Sequence, residues 1–204
     1  MTWEGIAPRL EGAVVVVEPL APAHEDGLWE AAFDPSVWRW MPVNAIESRE
    51  TFAAWFAEAV ERTAAGLDQA FAVLDAGTGA PLGSTRYLAL RPEHRGLEIG
   101  WTWLSVDAWG TGANVEAKLL LMGHAFDELG CIRVEFKTDA LNERSRAALE
   151  ALPARFEGIF RKHMLMPGIG VRDSAYFSVV DDEWPSVRQN LEQRLAGARE
   201  VGSA

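Results

Sequence analysis

Hydrophobic and polar positions change period along this chain in a way that predicts strands alternating with helices. Val14 to Val17 is a β-branched run suited to a strand, and Pro19 with Pro22 closes it. His24 to Phe33 carries Leu28, Trp29 and Ala32 at helical spacing, and Ser48 to Thr63 repeats the pattern with Phe52, Trp55, Phe56 and Ala59 on one face. Ser48, ahead of Thr51 and the apolar run, is the expected N-cap of that second helix. The stretch Trp38-Arg39-Trp40-Met41-Pro42 between the two helices reads as an aromatic loop. Ala70 to Leu74 and Gly83 to Leu90 read as a hairpin joined by the turn-rich segment Asp75 to Ala80. Leu97 to Leu104 supplies a third antiparallel strand, with Ile99, Trp101 and Trp103 on one face and Glu98, Gly100 and Thr102 on the other.

Past Gly110 and Gly112, Val115 to Leu129 carries Ala117, Leu120, Leu121, His124, Ala125 and Leu129 at helical spacing, and Gly130 is a natural stop. Ile132 to Thr138 is a further strand and Glu143 to Ala151 a short helix. Phe156 to Met166 and Ser174 to Val180 form a final hairpin around Pro167-Gly168-Ile169-Gly170, and Trp184 to Leu195 reads as a helix. The tail after about residue 196 is expected to be flexible, with the small residues Gly202 to Ala204 frayed. No repeat or linker interrupts this order, so residues 1–204 are expected to form one α/β (α+β) domain.

Composition narrows the function classes. A length of 204 residues suits one self-sufficient core, and 49% hydrophobic with 24% charged residues is the balance of an ordinary globular chain. No run approaches the ~20 apolar residues needed to cross a bilayer. The opening Met-Thr-Trp-Glu-Gly lacks the basic then apolar build of a signal peptide, so no membrane association and a cytoplasmic location are expected. Cys131 is the single cysteine, which excludes an intrachain disulfide and a thiolate metal cluster built from this chain, and buried packing is its expected role. His24, His94 and His124 show no spacing to carboxylates that suggests a ligand set, so no metal is predicted. The net charge of −11 repels phosphate backbones, which argues against nucleic acid and tilts the partner toward amines, polyamines or basic protein tails.

The most informative stretch runs from Leu97 through Gly110 and Gly112 to Lys118, a strand passing through a glycine turn into a helix. Glycines let consecutive N–H groups turn toward one point, and the positive end of the helix adds a favourable field, so Gly110 to Asn114 is suited to cradle a pyrophosphate. A dinucleotide fingerprint would need a third glycine, which is missing. A P-loop would need Gly-Lys-Ser/Thr closing the turn, whereas Lys118 comes several residues too late with no hydroxyl after it.

The stretch resembles the acyl-CoA pyrophosphate motif of the GNAT acetyltransferases, Gln/Arg-x-x-Gly-x-Gly/Ala. Leu141-Asn-Glu-Arg-Ser-Arg-Ala-Ala-Leu-Glu150 resembles the second signature of that family, and Arg155 to Arg161 resembles the strand that follows. Together with Val171 to Val179 they resemble the RimJ/RimL-like branch, which acetylates protein N-terminal amines. The implied fold is a mixed, mostly antiparallel sheet flanked by helices, the implied co-substrate is acetyl-CoA, and because members are often dimers the resemblance admits a homodimer. By the same resemblance Glu98 is the general base and Ser145 the partner of the coenzyme sulfur, bonding it or protonating the thiolate. A cleft lined by Trp101 and Trp103 would raise the pKa of Glu98. Trp103, Leu104, Val106, Gly110, Thr111, Gly112, Ala113, Asn114, Asn142, Ser145 and Arg146 are the implied coenzyme-binding residues, with a strand N–H near Trp103 or Leu104 for the oxyanion. Trp38, Trp40, Met41, His163 and Asp173 are assigned to the acceptor groove, and His163 is also a reserve base.

The departures are Trp109 in place of Gln or Arg, Asn114 in place of Gly or Ala, Leu149 where many members carry a tyrosine acid, Pro153 in place of a glycine, and Met164 in place of a glutamate. Three functions stay open at this stage: acetyl transfer to a protein or peptide α-amine, acetyl transfer to a small-molecule amine, and non-catalytic binding of acyl-CoA.

Overall fold

The computed structural model describes residues 3–202 apart from 167 and 169, and for 198–202 the backbone alone. The strands are β1 (Leu10–Glu11), β2 (Val15–Pro19), β3 (Gln69–Asp75), β4 (Pro81–Arg91), β5 (Gly96–Leu104), β6 (Arg133–Asp139), β7 (Arg155–Met166) and β8 (Gly170–Val180). Among the described residues they form one sheet of order β1-β2-β3-β4-β5-β6-β8-β7. Every neighbouring pair is antiparallel except β5 and β6.

Helices α1 (Glu25–Ala31), α2 (Pro35–Trp38) and α3 (Arg49–Ala64) cover one face, and α4 (Ala113–Gly123), α5 (Glu143–Ala151) and α6 (Trp184–Gly202) supply core residues to the other. Strands β2 and β3 are apolar on both faces, as a sheet covered on both sides requires. Val15, Val17, Phe71 and Val73 join the core under α4, whereas Val16, Ala70, Ala72 and Leu74 join the core under α3. Helices α3 and α5 start where a side chain supplies the acceptor the first turn lacks. Ser48 Oγ accepts from Thr51 N–H at 3.1 Å, and Asn142 Oδ1 accepts from Ser145 N–H at 3.1 Å.

Helix α4 is tied to the sheet by buried polar contacts. Glu116 accepts from the N–H groups of Ala13, Val14 and Val15 at 3.1, 2.6 and 2.7 Å. On β4, the Tyr87 hydroxyl donates to the Leu121 carbonyl at 2.7 Å. A buried bond of this kind contributes about 1 kcal/mol net, and more is lost if one partner is left unpaired.

Several expectations need correction. The aromatic loop holds the short helix α2, which Asp34 caps by accepting from Ser36 N–H at 2.8 Å. The helix after Gly112 begins at Ala113 and ends in a π-helical turn, His124–Glu128. Strand β1 was not legible in the sequence, and the last helix runs beyond Leu195 to Gly202, so the tail after 196 is helical that far; Ser203 and Ala204 lie outside the described residues. So do Pro167 and Ile169 of the expected hairpin turn.

Candidate active site

Two irregularities of β5 create the site. Strands β5 and β6 pair over Gly96↔Arg133, Leu97↔Val134 and Glu98↔Glu135, after which the parallel ladder stops while both strands continue. The strands therefore splay beyond Glu98, leaving a V in the sheet with that residue at its closed end. The second irregularity is a bulge: Arg86 faces Gly100 and Ser84 faces Trp103, so Trp101 and Thr102 share the single partner Thr85. Trp101 takes φ +49°, and the Arg86 guanidinium lies 4.6 Å from its ring centroid. Thr102 Oγ1 meets Thr85 Oγ1 at 2.8 Å and accepts from Lys118 Nζ at 2.7 Å.

The bulge breaks the alternation expected for this strand. Ile99 packs in the core under α4, while Trp103 packs in the core under α3 beside Trp38 and Trp55, with centroids 5.2 and 5.9 Å away. By the pleat, Glu98 points away from Ile99, so it shares its side of the sheet with Trp103 rather than opposing it.

A cavity of about 370 Å³ occupies the V. It passes from one face of the sheet to the other, since it is lined by Val37, Trp40 and Met41 from the α2 side and by Asn114, Lys118, Asn142 and Ser145 from the α4 and α5 side. Between them lie Glu98, Trp101, Thr102, Trp103 and Leu104. Of the residues singled out in the sequence, the structure thus brings together Glu98, Ser145, Trp103, Leu104, Gly110, Asn114, Asn142, Trp40 and Met41.

Glu98 is 4% exposed, and burial raises its pKa, partly offset by Lys137, whose Nζ donates to Oε2 at 3.3 Å. Gly100 makes room for this carboxylate, because a Cβ there would come within 2.9 Å of Glu98 Oε1 and of Leu88 Cδ1. A buried carboxylate of raised pKa, open to a cavity, is suited to take up a proton.

At the other end, Gly110 and Gly112 have φ of +78° and +92°, a region glycine enters without the strain a Cβ imposes. Thr111 Oγ1 donates to the Ala108 carbonyl at 2.8 Å and accepts from Ala113 N–H at 3.3 Å, which fixes the turn. A Cβ on Gly110 would meet nothing within 4 Å, so the space before the turn is open. A second cavity continues past the N-terminus of α4, lined by Trp109, Gly110, Gly112, Asn114 and Arg194. An open glycine turn at a helix N-terminus with an arginine beside it fits a pyrophosphate.

Other assignments move. Trp38 is 3% exposed, its Nε1 donates to the Ala32 carbonyl at 2.9 Å, and it packs in the core instead of walling the groove. Asp173 is exposed and accepts from Lys162 N–H at 2.6 Å, which closes the bulge of β7 around Lys162; it does not line the cavity. His163, in the same bulge, meets Ser174 Oγ at 3.0 Å through Nδ1 and Tyr176 Oη at 3.3 Å through Nε2, so both ring nitrogens are engaged outside the cavity wall. Its pKa is lowered, first by burial and then by Lys137 and Arg172. Val106 packs beside the α3 core, and Arg146 Nη1 donates to the Ala140 carbonyl at 3.1 Å; neither lines either of these two cavities. Cys131 is buried and its thiol pKa is pushed up to about 12, in keeping with the packing role.

Sequence reasoning missed four cationic wall residues: Lys118, Lys137, Arg144 and Arg172. The Arg144 guanidinium lies 3.5 Å from the Trp109 ring centroid, and Trp109 Nε1 donates to the Leu104 carbonyl at 3.0 Å. The Arg and Trp placement is a cross-element contact with no local signal. Lys118 lies one helical turn after Asn114, and that spacing was the available clue.

Residues 15–155 match the family model described as an acetyltransferase (GNAT) domain. The chain is similar to a solved structure described as a putative acetyltransferase, 40% identical over 92% of this chain and 93% of that one, with a TM-score of 0.83. A GCN5-related N-acetyltransferase from Brucella melitensis is 32% identical over 95% of this chain and 88% of that one, with a TM-score of 0.86. A putative acetyltransferase from T. thermophilus is 39% identical over 92% of this chain and 96% of that one, with a TM-score of 0.82. Comparison with curated proteins gives no match.

Proposed function

Because this chain belongs to the GNAT acetyltransferase family, we propose that it moves the acetyl group of acetyl-CoA directly onto a primary amine, the α-amine of a protein or peptide. The observation that carries this reading is the cavity through the splayed strands, with a buried carboxylate facing one side of the sheet and an open glycine turn at the other. Acceptor and donor approach from opposite faces and meet in the V.

Glu98 takes a proton from the acceptor α-ammonium, whose pKa near ~8 keeps most of it protonated and unreactive at neutral pH. The freed amine attacks the thioester carbon, and a strand N–H near Trp103 or Leu104 donates to the carbonyl oxygen as it gains charge. Gly110 to Asn114, with Arg194 beside them, hold the pyrophosphate, Asn142 orients the pantetheine arm and Ser145 hydrogen-bonds the sulfur. Trp40 and Met41 grip the residue that carries the amine. The net charge of −11 and the resemblance to the RimJ/RimL-like branch favour a basic peptide over a neutral small amine.

The test is an acceptor panel at saturating acetyl-CoA, read by release of coenzyme A thiol and by mass spectrometry of the product. Basic peptides with a free α-amine should gain one acetyl group at that amine, and N-terminally blocked versions should not. Turnover of polyamines or amino acids in preference to every peptide would replace the peptide acceptor with a small molecule.

A further inference from the structure

The tyrosine acid that the family often carries is absent, since Leu149 stands at its position, and Ser145 is a neutral alcohol, a poor source of a proton. The α4 side of the cavity holds a better one. Lys118 is 5% exposed and lines the V, yet among the described residues no carboxylate lies within ion-pair distance of it. Its hydrogen bond goes to Thr102 Oγ1, at the bulge of β5 and on the side of the sheet opposite Glu98. A buried ammonium held only by a hydroxyl is costly to maintain unless a ligand supplies the missing acceptor. The other ionisable side chains around this cavity are Glu98 on β5, Lys137 on β6, Arg144 on α5 and Arg172 on β8, with Arg194 of α6 at its continuation.

We infer that Lys118 is a further catalytic residue, the general acid that protonates the departing thiolate. The proposal rests on the acetyl-transfer reading above. As the acceptor nitrogen forms its bond to the carbonyl carbon from the Glu98 side, the C–S bond breaks and its electron pair goes to sulfur. Lys118 Nζ gives that sulfur a proton and becomes a neutral amine. The acceptor ammonium gives up two protons, one before attack and one as the amide forms. Both leave through Glu98 to solvent, one is returned from solvent to recharge Lys118, and the net products are the amide, the thiol and one proton. Thr102, bonded in turn to Thr85, holds the ammonium at the bulge without neutralising it. Burial lowers the pKa of Lys118 to about 7, close to the working pH, which suits a group that must give up and regain a proton in each turnover.

The experiment compares wild type with Lys118→Met, Lys118→Ala and Lys118→Arg. Calorimetric titration with acetyl-CoA checks that the site is intact, and kcat/KM for acetyl-CoA is followed from pH 6 to 9. Lys118→Met should bind acetyl-CoA within a few-fold of wild type while kcat drops about 10²-fold or more. Wild-type kcat/KM should fall as pH rises through about 7, where the ammonium is lost, and Lys118→Met should lack that limb. Ethylammonium should restore part of the Lys118→Ala rate, an effect a packing role would not show.

Unchanged kcat in Lys118→Met would overturn the assignment. Should the variants fail to fold, the wild-type profile decides, because absence of a falling limb between pH 6 and 9 rules the acid out. If wild type neither binds acetyl-CoA nor acetylates any amine, the acetyl-transfer reading itself fails and this inference falls with it.

Discussion

Replacing Glu98 by Gln removes the proposed base while keeping the shape of the side chain. The amide fits the space left by Gly100, where a Cβ would press on the carboxylate at 2.9 Å, and its oxygen can still accept from Lys137. The cost should therefore fall on the rate. General-base catalysis contributes about 10²–10⁴-fold, so Glu98→Gln should lose about 10²–10³-fold in kcat/KM for the amine, which corresponds to about 3–4 kcal/mol of transition-state stabilisation. The wild-type rate should rise with pH through the raised pKa of Glu98, whereas the variant should follow ionisation of the amine alone and close the gap at high pH.

Stability should move the other way. A carboxylate whose folded pKa is raised contributes stability that is present below the unfolded value and is lost as pH rises through the folded value. At neutral pH Glu98→Gln should unfold at the same temperature as wild type or higher. Thiol-release kinetics with an acceptor peptide and calorimetric melting, both repeated across pH, read these effects. Loss of rate that tracks a lower melting temperature, or a rate within about threefold of wild type at pH 7, would refute the assignment.

Three further perturbations test the walls of the site. Asn142→Ala removes the cap that accepts from Ser145 N–H and should cost about 1 kcal/mol in thermal unfolding, together with weaker acetyl-CoA binding by titration. Gly112→Ala forces a Cβ onto φ +92° at a strain of about 1–2 kcal/mol and sets it 3.4 Å from Leu195 Cδ2, so the melting temperature should fall and the Kd for acetyl-CoA rise about tenfold. Trp109→Ala frees the Arg144 guanidinium stacked on the indole and should weaken acetyl-CoA binding by about 0.5–1 kcal/mol, a few-fold in Kd by the same titration, with kcat retained.

What was legible in the sequence was local. Helix α5 was placed over the observed span because its cap, Asn142, and the signature from Leu141 to Glu150 lie within one short stretch. The β3–β4 hairpin and the glycine turn before α4 were likewise carried by neighbouring residues. The bulge at Trp101 was not legible, because it arises from register against β4 and from contacts with Arg86 and Thr85. That one-residue insertion moved Trp103 to the face opposite Ile99 and reversed the expected relation to Glu98.

Trp38, His163 and Asp173 fared worse for a related reason. All three are assigned to the acceptor groove by resemblance, yet Trp38 is packed against Trp55 and Trp103, and the other two serve the irregular pairing of β7 with β8. Lys118 enters the reading of the sequence only as a lysine too late for a P-loop. Its burial follows from Thr102 and the splay of β5 from β6, both set by pairing between distant segments.

Calorimetric titration of the purified protein with acetyl-CoA, with ATP as comparator, tests the central claim most directly. The account predicts saturable binding of acetyl-CoA at one site, with ATP far weaker because it cannot fill the V with a pantetheine arm. Absence of binding, or ATP bound as tightly as acetyl-CoA, would contradict it.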